Sequence, residues 1–375
     1  MSKSKVYFTD FSCKANGDNL LKKIEKLVKS AGIESIDFKD KFTAIKIHFG
    51  ELGNLAYLRP NYSKVIIDII KDNEGKPFLT DCSTLYVGSR KNAVDHLDTA
   101  YVNGYNPFAT GAHVIIADGL KGTDDVHVKI DKELVKDAKI GRAIVDSDIL
   151  ISLNHFKMHE STGIGGALKN IGMGCGSRAG KMEMHSGGKT QVGSLKCVGC
   201  MKCVSICAHD AINKVEGKAY IDVDKCVGCS RCSSVCPVDA ISACDFGSND
   251  DLNKKISEYS YAILKDKPSF HITLVMDVSP FCDCHAENDR AVVPDVGMFA
   301  SFDPVALDVA CAEMVNKQPI LKDSLLYERK CKCDSDDTNE DYFKCVHSQT
   351  NWRVMTDHAE KLGLGNSDYE LIKIG

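Results

Sequence analysis

The chain has 375 residues, a formal net charge of −5, and 43% apolar and 26% charged residues, a balance that excludes a wholly disordered protein. At about 100–200 residues per domain, this length predicts two or three domains. No apolar run approaches the roughly 20 residues of a membrane helix, and Asp10 interrupts the basic N-terminal segment before any long apolar core. We therefore expect a cytoplasmic protein with no membrane or nucleic-acid partner.

Strands and helices alternate along most of the chain. Apolar residues at helical spacing follow Asp18, which we expect to cap the first helix. This alternation predicts an α/β fold, with a largely parallel sheet and helices on both faces. In chain order the further predictions are a strand at 42–49, a helix from Pro60, a strand at 76–82, a helix at 91–103, a strand at 113–118, a short helix and a strand within 142–156, a strand at 271–278 and a helix at 304–315.

Polar side chains gather where the predicted strands end. Open α/β sheets bind ligands beyond the carboxyl ends of their strands, so this edge is the expected site. A single polar residue at a strand end is more often structural than functional. Unusual polar residues at all four strand ends together favour a functional site. The residues at these ends are His48, Glu51 and Asn54; Asp81, Cys82, Thr84 and Arg90; Asn154, His155, Lys157 and His159; and Asp277, Cys282, Cys284 and His285.

A glycine-rich segment follows the strand that ends near Leu153. Nine of the 26 residues from Gly163 to Gly188 are glycine, which permits close backbone approach to a ligand and favours an anion-binding nest, with Lys169 adding positive charge. The alternative is a flexible loop that only accommodates the segment after it. The predicted anion loop includes Gly163, Gly165, Gly166, Arg178 and Lys181.

Eight of the 18 cysteines lie within forty residues, as two copies of the spacing C-x2-C-x2-C-x3-C. This is the bacterial-type pattern for two [4Fe–4S] clusters, in which the fourth cysteine of each copy binds the other cluster. Zinc knuckles or free thiols are the alternatives, and two full copies disfavour them. One cluster is predicted on Cys197, Cys200, Cys203 and Cys236, and the other on Cys226, Cys229, Cys232 and Cys207.

Alternating residues on both sides of Glu216-Gly217 predict a β-hairpin between the two cysteine sets. We therefore expect a self-contained α+β, ferredoxin-like module at 189–246, with linkers at 186–196 and 247–253. The module would interrupt one α/β domain, whose two parts are 1–188 and 247–375.

The remaining thiols suggest further chemistry. Cys282 and Cys284, followed by His285, form a candidate additional metal site for zinc, nickel or an iron–sulfur centre. A second group of ligand types is Cys331, Cys333, Cys345 and His347. Cys82 and Cys175 are candidates for redox or nucleophilic roles, and Cys13, Cys244 and Cys311 for packing.

The chain resembles the iron–sulfur family of bacteria and archaea called domain of unknown function 362, in its ferredoxin-containing form. The resemblance is carried by KIHFGELGN (46–54), TDCSTLYVGSR (80–90), NHFKMHESTGIGGALKN (154–170), both cysteine sets, FCDCH (281–285) and DVGMFASFDPVALD (295–308). It implies two [4Fe–4S] clusters and leaves the reaction open. The block from Lys157 to Asn170 is also similar to a glycine–lysine segment of lactate racemase-type nickel enzymes.

The leading functional hypothesis is an oxidoreductase that passes electrons through two clusters to a substrate or cofactor at the strand-end edge. His155, Lys157, His159 and Lys169 would bind or protonate the acceptor, and Asp81 would orient a partner. The partner would be a redox protein or a small-molecule acceptor. Two alternatives are a dedicated electron carrier with a docking domain, and a metal or cluster maturation factor. No flavin or nicotinamide fingerprint is present, so no organic cofactor is predicted.

Overall fold

The computed structural model describes residues 3–86, 88–186, 190–207, 209–226, 231–243, 248–330 and 341–375. Its first part consists of β1 (Ser4–Thr9), α1 (Leu20–Ser30), β2 (Phe42–Lys46), α2 (Pro60–Asp72), β3 (Lys76–Asp81), α3 (Ala93–Val102), α4 (Pro107–Thr110), β4 (Val114–Ile116), β5 (Asp125–Lys129), β6 (Asp137–Gly141), α5 (Arg142–Asp146), β7 (Ile149–His155), β8 (Lys157–His159), β9 (Gly163–Gly165), α6 (Ala167–Cys175) and α7 (Arg178–Ser186).

Residues 190–243, the cysteine-rich part, form short elements. They are β10 (Thr190–Val192), α8 (Lys202–Ile206), β11 (Ile212–Val215), β12 (Lys218–Ile221), α9 (Arg231–Ser234) and β13 (Ile241–Ala243). The last part consists of α10 (Asn249–Leu264), β14 (Ser269–Val275), β15 (Gly297–Ser301), α11 (Pro304–Asn316), α12 (Leu325–Lys330), α13 (Tyr342–Val346), α14 (Arg353–Lys361) and β16 (Tyr369–Lys373).

One sheet of eight strands dominates the described part of the chain, in the order β16-β1-β15-β14-β7-β2-β3-β4. The run from β14 to β4 is parallel throughout, and β15 is antiparallel to both of its neighbours. The prediction of a largely parallel α/β sheet is therefore confirmed. Pattern reading missed β1, β15 and β16, which lie together at one edge.

Helices cover both faces of the sheet because successive strand residues point to opposite sides. In β2, Ala44 belongs to one buried apolar cluster and Ile45 to another. The cluster around Ile45 includes Ile66 and Ile70 of α2, whereas the cluster around Ala44 includes apolar residues of α6, α10 and α11. The cavity described below lies between the strand ends and the second group of helices.

Several predicted boundaries differ from the structure. Asn19, and not Asp18, accepts the hydrogen bond from Lys22 N at the start of α1. The strand predicted to reach residue 49 ends at Lys46. The predicted hairpin is confirmed, since β11 pairs with β12 around the Glu216 turn.

The predicted linkers contain regular structure. β10 pairs with β13, so the two ends of the cysteine-rich part lie side by side. Ser248 caps α10, which begins at Asn249 inside the second predicted linker. The domain boundaries themselves stay a prediction. Among the helices in the described ranges, none combines the length and the apolar character that a membrane crossing requires.

Candidate functional site

A cavity of about 290 Å³ lies where β2 and β3 end, between α6, α7 and the Cys282–Cys284 turn. Among the described residues that line it, five are cationic and two are carboxylates. The cations are Lys46, Arg90, Lys157, Lys169 and Lys181, and the carboxylates are Asp81 and Glu160. Lys46, Arg90 and Lys157 are each paired with a buried carboxylate, which leaves Lys169 and Lys181 to favour an anionic ligand.

Asp81 anchors two of these cations at the end of β3. Lys46 Nζ lies 3.0 Å from Asp81 Oδ1, and Arg90 Nη1 lies 3.5 Å from Oδ2. Burial opposes ionisation of this carboxyl, but Lys46, His96, His48 and Arg90 hold its pKa well below the usual value. Asp81 is therefore a carboxylate that orients two basic side chains, and its predicted role in a reaction stays a prediction.

Asp283 lies between two further basic side chains. Its carboxylate accepts a hydrogen bond from Lys157 Nζ at 2.7 Å and faces His155 Nδ1 at 2.9 Å. The other ring nitrogen of His155, Nε2, lies 2.8 Å from the carbonyl oxygen of Met276. Since both partners of the ring are acceptors, His155 donates at both nitrogens and is an imidazolium. Burial opposes the charge on Asp283, yet its two basic neighbours keep its pKa far below the usual value.

His155 thus differs from its predicted role. It lies outside the cavity wall, and both ring nitrogens are engaged within the protein. It positions Asp283 and is not placed to bind or protonate an acceptor. Lys157, His159 and Lys169 do line the cavity.

Cys282 and Cys284 meet an imidazole from a distant strand. The sulfur atoms of both cysteines and one ring nitrogen of His159 all lie within 4.8 Å of one another. Sequence reasoning paired the two thiols with His285, but His285 Nε2 instead contacts Glu160 at 3.0 Å. The contact with His159 depends on tertiary packing across more than 120 residues, which local spacing could not predict.

The hydrogen bonds of His159 do not fit a metal ligand. Its Nδ1 accepts hydrogen bonds from the backbone N–H groups of Ser161 and Thr162, at 3.1 and 3.2 Å. The proton of the neutral ring is therefore on Nε2. A histidine that binds a metal through one nitrogen normally donates a proton from the other. Here that other nitrogen is an acceptor, so the His159 ring is not oriented as a metal ligand in this structure, and the predicted metal site on Cys282 and Cys284 stays a prediction.

The two thiols differ in protonation. The Cys284 hydrogen bond lowers the pKa of Cys282 well below the usual value, against the effect of burial, and Lys169 and His159 lower it further. The pKa of Cys284 is raised well above the usual value, chiefly by the same hydrogen bond and by burial. Lys169 Nζ lies 3.4 Å from Cys282 Sγ. The mutual hydrogen bond and the Lys169 ammonium therefore favour the thiolate form at Cys282 and the thiol form at Cys284.

The described part of the glycine-rich segment, residues 163–186, consists mainly of a strand and two helices. Gly163 and Gly165 belong to the β8–β9 hairpin, and Gly166 precedes α6. Asp308 accepts hydrogen bonds from Ala167 N at 2.6 Å and Leu168 N at 2.9 Å. Because this carboxylate already uses the amides at the start of α6, the predicted anion loop is wrong as a backbone nest.

Helix α7 joins the cavity to the cysteine-rich part. Lys181 lines the cavity, and its Nζ contacts the carbonyl oxygen of Gly176 at 2.5 Å. Three residues earlier on the helix, Arg178 Nη2 donates to Ser233 Oγ at 2.7 Å, and Nη1 to Lys91 O at 3.1 Å. Arg178 therefore faces away from the predicted anion site and contacts the second cysteine set.

Four thiols in the cysteine-rich part surround a second, apolar cavity. They are Cys197, Cys200, Cys203 and Cys236, the predicted ligands of one cluster. Backbone N–H groups donate to two of these sulfurs, from Ala219 to Cys197 at 3.5 Å and from Ala240 to Cys236 at 3.2 Å. Of the other predicted set, Cys207, Cys226 and Cys232 are described, and Cys229 lies outside the described residues.

Among the remaining described cysteines, Cys82, Cys175 and Cys311 are buried, whereas Cys13 is exposed and does not pack as predicted. Cys82 lines the cavity, but its thiol donates to the carbonyl oxygen of Cys175 at 3.4 Å. Burial raises the pKa of Cys175 to about 12 and that of Cys82 well above its usual value, so neither is an activated nucleophile. His347 Nε2 donates to the carbonyl oxygen of Pro280 at 2.7 Å. Cys331, Cys333 and Cys244 lie outside the described residues.

Sequence reasoning missed three cavity residues. Lys46 is fully buried in β2, Asn170 Oδ1 accepts its hydrogen bond at 2.7 Å, and His185 lines the cavity from α7. Lys46 had a usable signal, because a lysine at the end of a predicted buried strand requires a partner. The sequence carries no comparable signal for His185 or Asn170, because helical periodicity does not show which polar residue faces a cavity.

Comparison with known proteins gives a family and two distant structural likenesses. Residues 43–313 match the family described as a domain of unknown function, DUF362. The lactate racemase apoprotein from Thermoanaerobacterium thermosaccharolyticum is 13% identical with a TM-score of 0.36, over 68% of this chain and 49% of that one. A protein from Thermotoga maritima is 13% identical with a TM-score of 0.36, over 74% and 54%.

The chain therefore spans about half the length of these two structures. No curated protein matches it. The family match covers well over half of the sequence and includes the strand-end residues, α6, α7 and the Cys282–Cys284 turn. The chain belongs to the DUF362 family.

Proposed function

We propose that the protein is an iron–sulfur oxidoreductase, in which two [4Fe–4S] clusters held by the cysteine-rich part pass electrons to an anionic substrate in the cationic cavity. The observation that carries the proposal is helix α7. It contributes Lys181 to the cavity and, three residues earlier, contacts Ser233 through Arg178. At a rise of 1.5 Å per residue, these two positions are about 4.5 Å apart along the helix axis.

The donor set of the cysteine-rich part fits a cluster better than a single zinc ion. The one group of three close ligand atoms found among the described residues, His159, Cys282 and Cys284, lies outside the cysteine-rich part. Tetrahedral zinc with bonds of about 2.3 Å would bring its sulfur ligands to about 3.8 Å. Four thiols around an apolar cavity, with backbone N–H groups directed at the sulfurs, are the surroundings that a cubane requires.

When bound, the clusters would supply one-electron transfer. The residues of the chain have other tasks. Lys169 and Lys181 would hold an anion, since both line the cavity and carry positive charge, whereas Lys157 is paired with Asp283. Asp81 and Asp283 keep neighbouring basic groups in place through buried ion pairs. The cavity volume of about 290 Å³ limits the substrate to a small molecule.

Anaerobic purification with iron and acid-labile sulfide analysis tests the clusters. We expect about eight iron atoms per chain, and about four in Cys203→Ser, because one cubane loses a ligand. Cys311→Ser, in the buried helix α11, is the matched control and should keep about eight. A chain that binds no iron after anaerobic reconstitution would refute the proposal.

The site of electron delivery needs a separate test. Reduced protein is mixed with a panel of small carboxylates and phosphates, and cluster reoxidation is followed by absorbance. At least one anion should accelerate reoxidation, and Lys181→Met should slow this reaction without changing iron content. Lys317→Met, at an exposed position after α11, is the control. Equal rates in wild type and Lys181→Met for every acceptor would place electron exit outside the cavity.

A further inference from the structure

We propose that Cys282 and Cys284 form a dithiol/disulfide couple that stores two electrons in the cavity and delivers them to a small anionic disulfide. This inference rests on the proposed function for the origin of the electrons, although the couple itself can be tested without clusters. It assigns to the Cys282–Cys284 turn a redox role in place of metal binding.

The geometry of the turn brings the two sulfurs together. They lie within 4.8 Å of each other on residues two apart, a separation that side-chain rotation can close to the 2.05 Å or so of a disulfide bond. The backbone around them is fixed, since His285 N donates to Cys282 O and Glu51 N donates to Asp283 O, both at 3.0 Å. Asp283, between the two cysteines, is held by Lys157.

The surroundings favour exchange chemistry over metal binding. Lys169 Nζ at 3.4 Å from Cys282 Sγ stabilises a thiolate, which is the attacking species in thiol–disulfide exchange. His159 offers no free nitrogen lone pair for a metal, because its Nδ1 accepts two backbone hydrogen bonds. Cys282 is buried and Cys284 is half-buried, so the second thiol is the more exposed one.

The reaction balances without a further reagent. The Cys282 thiolate attacks the acceptor disulfide and forms a mixed disulfide, which releases one thiolate. Cys284 gives its proton to the first released thiolate and displaces the second, so the products are the Cys282–Cys284 disulfide, one thiol and one thiolate. The couple is restored by two electrons, delivered singly through the clusters, and one proton, which regenerate a thiolate and a thiol.

The acceptor class follows from the charges. Lys169 and Lys181 line the same cavity as the two thiols, so a disulfide that carries carboxylates is favoured over a cationic one. The probes are 3,3′-dithiodipropionate, a dianion, and cystamine, a dication of similar length. We expect wild type to react with the dianion roughly tenfold faster or more, and Lys181→Met to reduce this preference.

Alkylation and peptide mass measurement detect the couple in the full chain. After incubation with either probe, the peptide containing Cys282 and Cys284 should carry no alkyl group and return to two alkyl groups after reduction. Cys284→Ser should instead hold a stable mixed disulfide on Cys282. Cys13→Ser, at an exposed cysteine, is the control and should behave as wild type.

Electron counting separates this inference from the proposed function. Titration with titanium(III) citrate after probe oxidation should consume about four electrons per chain in wild type, and about two in the double variant Cys282→Ser/Cys284→Ser, which can form no disulfide at this turn. If the chain lacks clusters, the expected counts become about two electrons in wild type and none in the variant. The dithiol/disulfide couple is then still supported. Two outcomes overturn it: both thiols stay alkylatable at every probe concentration, or purified wild type holds one zinc ion that Cys282→Ser loses.

Discussion

Asp283 and Lys157 form a buried ion pair, with 2.7 Å between the carboxylate Oδ2 and Nζ, and Asp283 is the residue that separates the two cavity cysteines. The carboxylate also faces the His155 ring at 2.9 Å. One anion thus neutralises two cations and fixes the direction in which Cys282 and Cys284 extend. The chemistry of the turn depends on a side chain that does not itself enter the cavity.

Replacement of the Asp283 carboxylate should destabilise the folded protein. Asp283→Asn leaves Lys157 and the His155 imidazolium buried without a counter-charge, and we expect a loss of about 3–5 kcal/mol in the free energy of unfolding. Urea denaturation measures this loss. Asp289→Asn, at an exposed position on the same segment, is the matched control and should change stability by less than about 0.5 kcal/mol. A small effect in Asp283→Asn would mean that the two cations are hydrated.

Lys169 should control the reactivity of Cys282. Lys169→Met removes the ammonium 3.4 Å from the sulfur, so the pKa of Cys282 should rise and its alkylation by iodoacetamide at pH 7 should slow about tenfold. Mass spectrometry of the Cys282 peptide over time gives the rate. Lys317→Met provides the comparison, and a rate in Lys169→Met equal to that of wild type would contradict the assignment.

Arg90 should not be replaceable by lysine. Its guanidinium contacts Glu51 at 3.1 Å and Asp81 at 3.5 Å while fully buried, and an ammonium cannot span both carboxylates. We expect Arg90→Lys to lose about 2–4 kcal/mol of unfolding free energy. Arg290→Lys, at an exposed position, should be neutral. Thermal and urea unfolding of both variants make the comparison.

Asp308 should make stability depend on pH. Burial raises its pKa to about 7, despite the two amides of α6 that it binds. The folded state therefore binds a proton that the unfolded chain has lost above its ordinary pKa of 3.8. This contribution to stability is complete below about pH 4 and is lost as the pH rises to 7, by at most about 1.4 kcal/mol per unit.

Urea unfolding across this interval, in wild type and in Asp308→Asn, isolates the effect. The variant lacks the titrating group, so its stability should fall less steeply between pH 4 and pH 7. Asp118, whose pKa is raised to about 6, remains in both proteins and cancels in the difference. Identical pH profiles would show that the α6 amides keep Asp308 ionised throughout.

Much of the fold could be predicted because local patterns decide it. The residues of β7 and β14 are mostly apolar and almost wholly buried, and such apolar-rich segments indicated central parallel strands. The edge strands could not be predicted in this way. In β16, exposed and half-buried residues follow no simple alternation, so its pairing with β1 depends on tertiary packing.

The candidate site was predicted in part for the same reason. Strand ends at one edge of a parallel sheet must converge, so Asp81, Lys157 and Cys282 could be grouped before their distances were known. The direction in which each side chain points could not be predicted from the sequence. His155 and His159 share a spacing of four residues, but one supports Asp283 and the other contacts the thiols.

The pairing of β10 with β13 has a consequence for the history of this chain. The polypeptide enters and leaves the cysteine-rich part through two adjacent antiparallel strands, with Thr190 opposite Ala243. Adjacent strands are about 4.8 Å apart, a gap that a turn of two residues can bridge. A single genetic event could therefore add or remove this part without changing the order of strands in the large sheet, and the cavity could have existed before the cysteine-rich part was added.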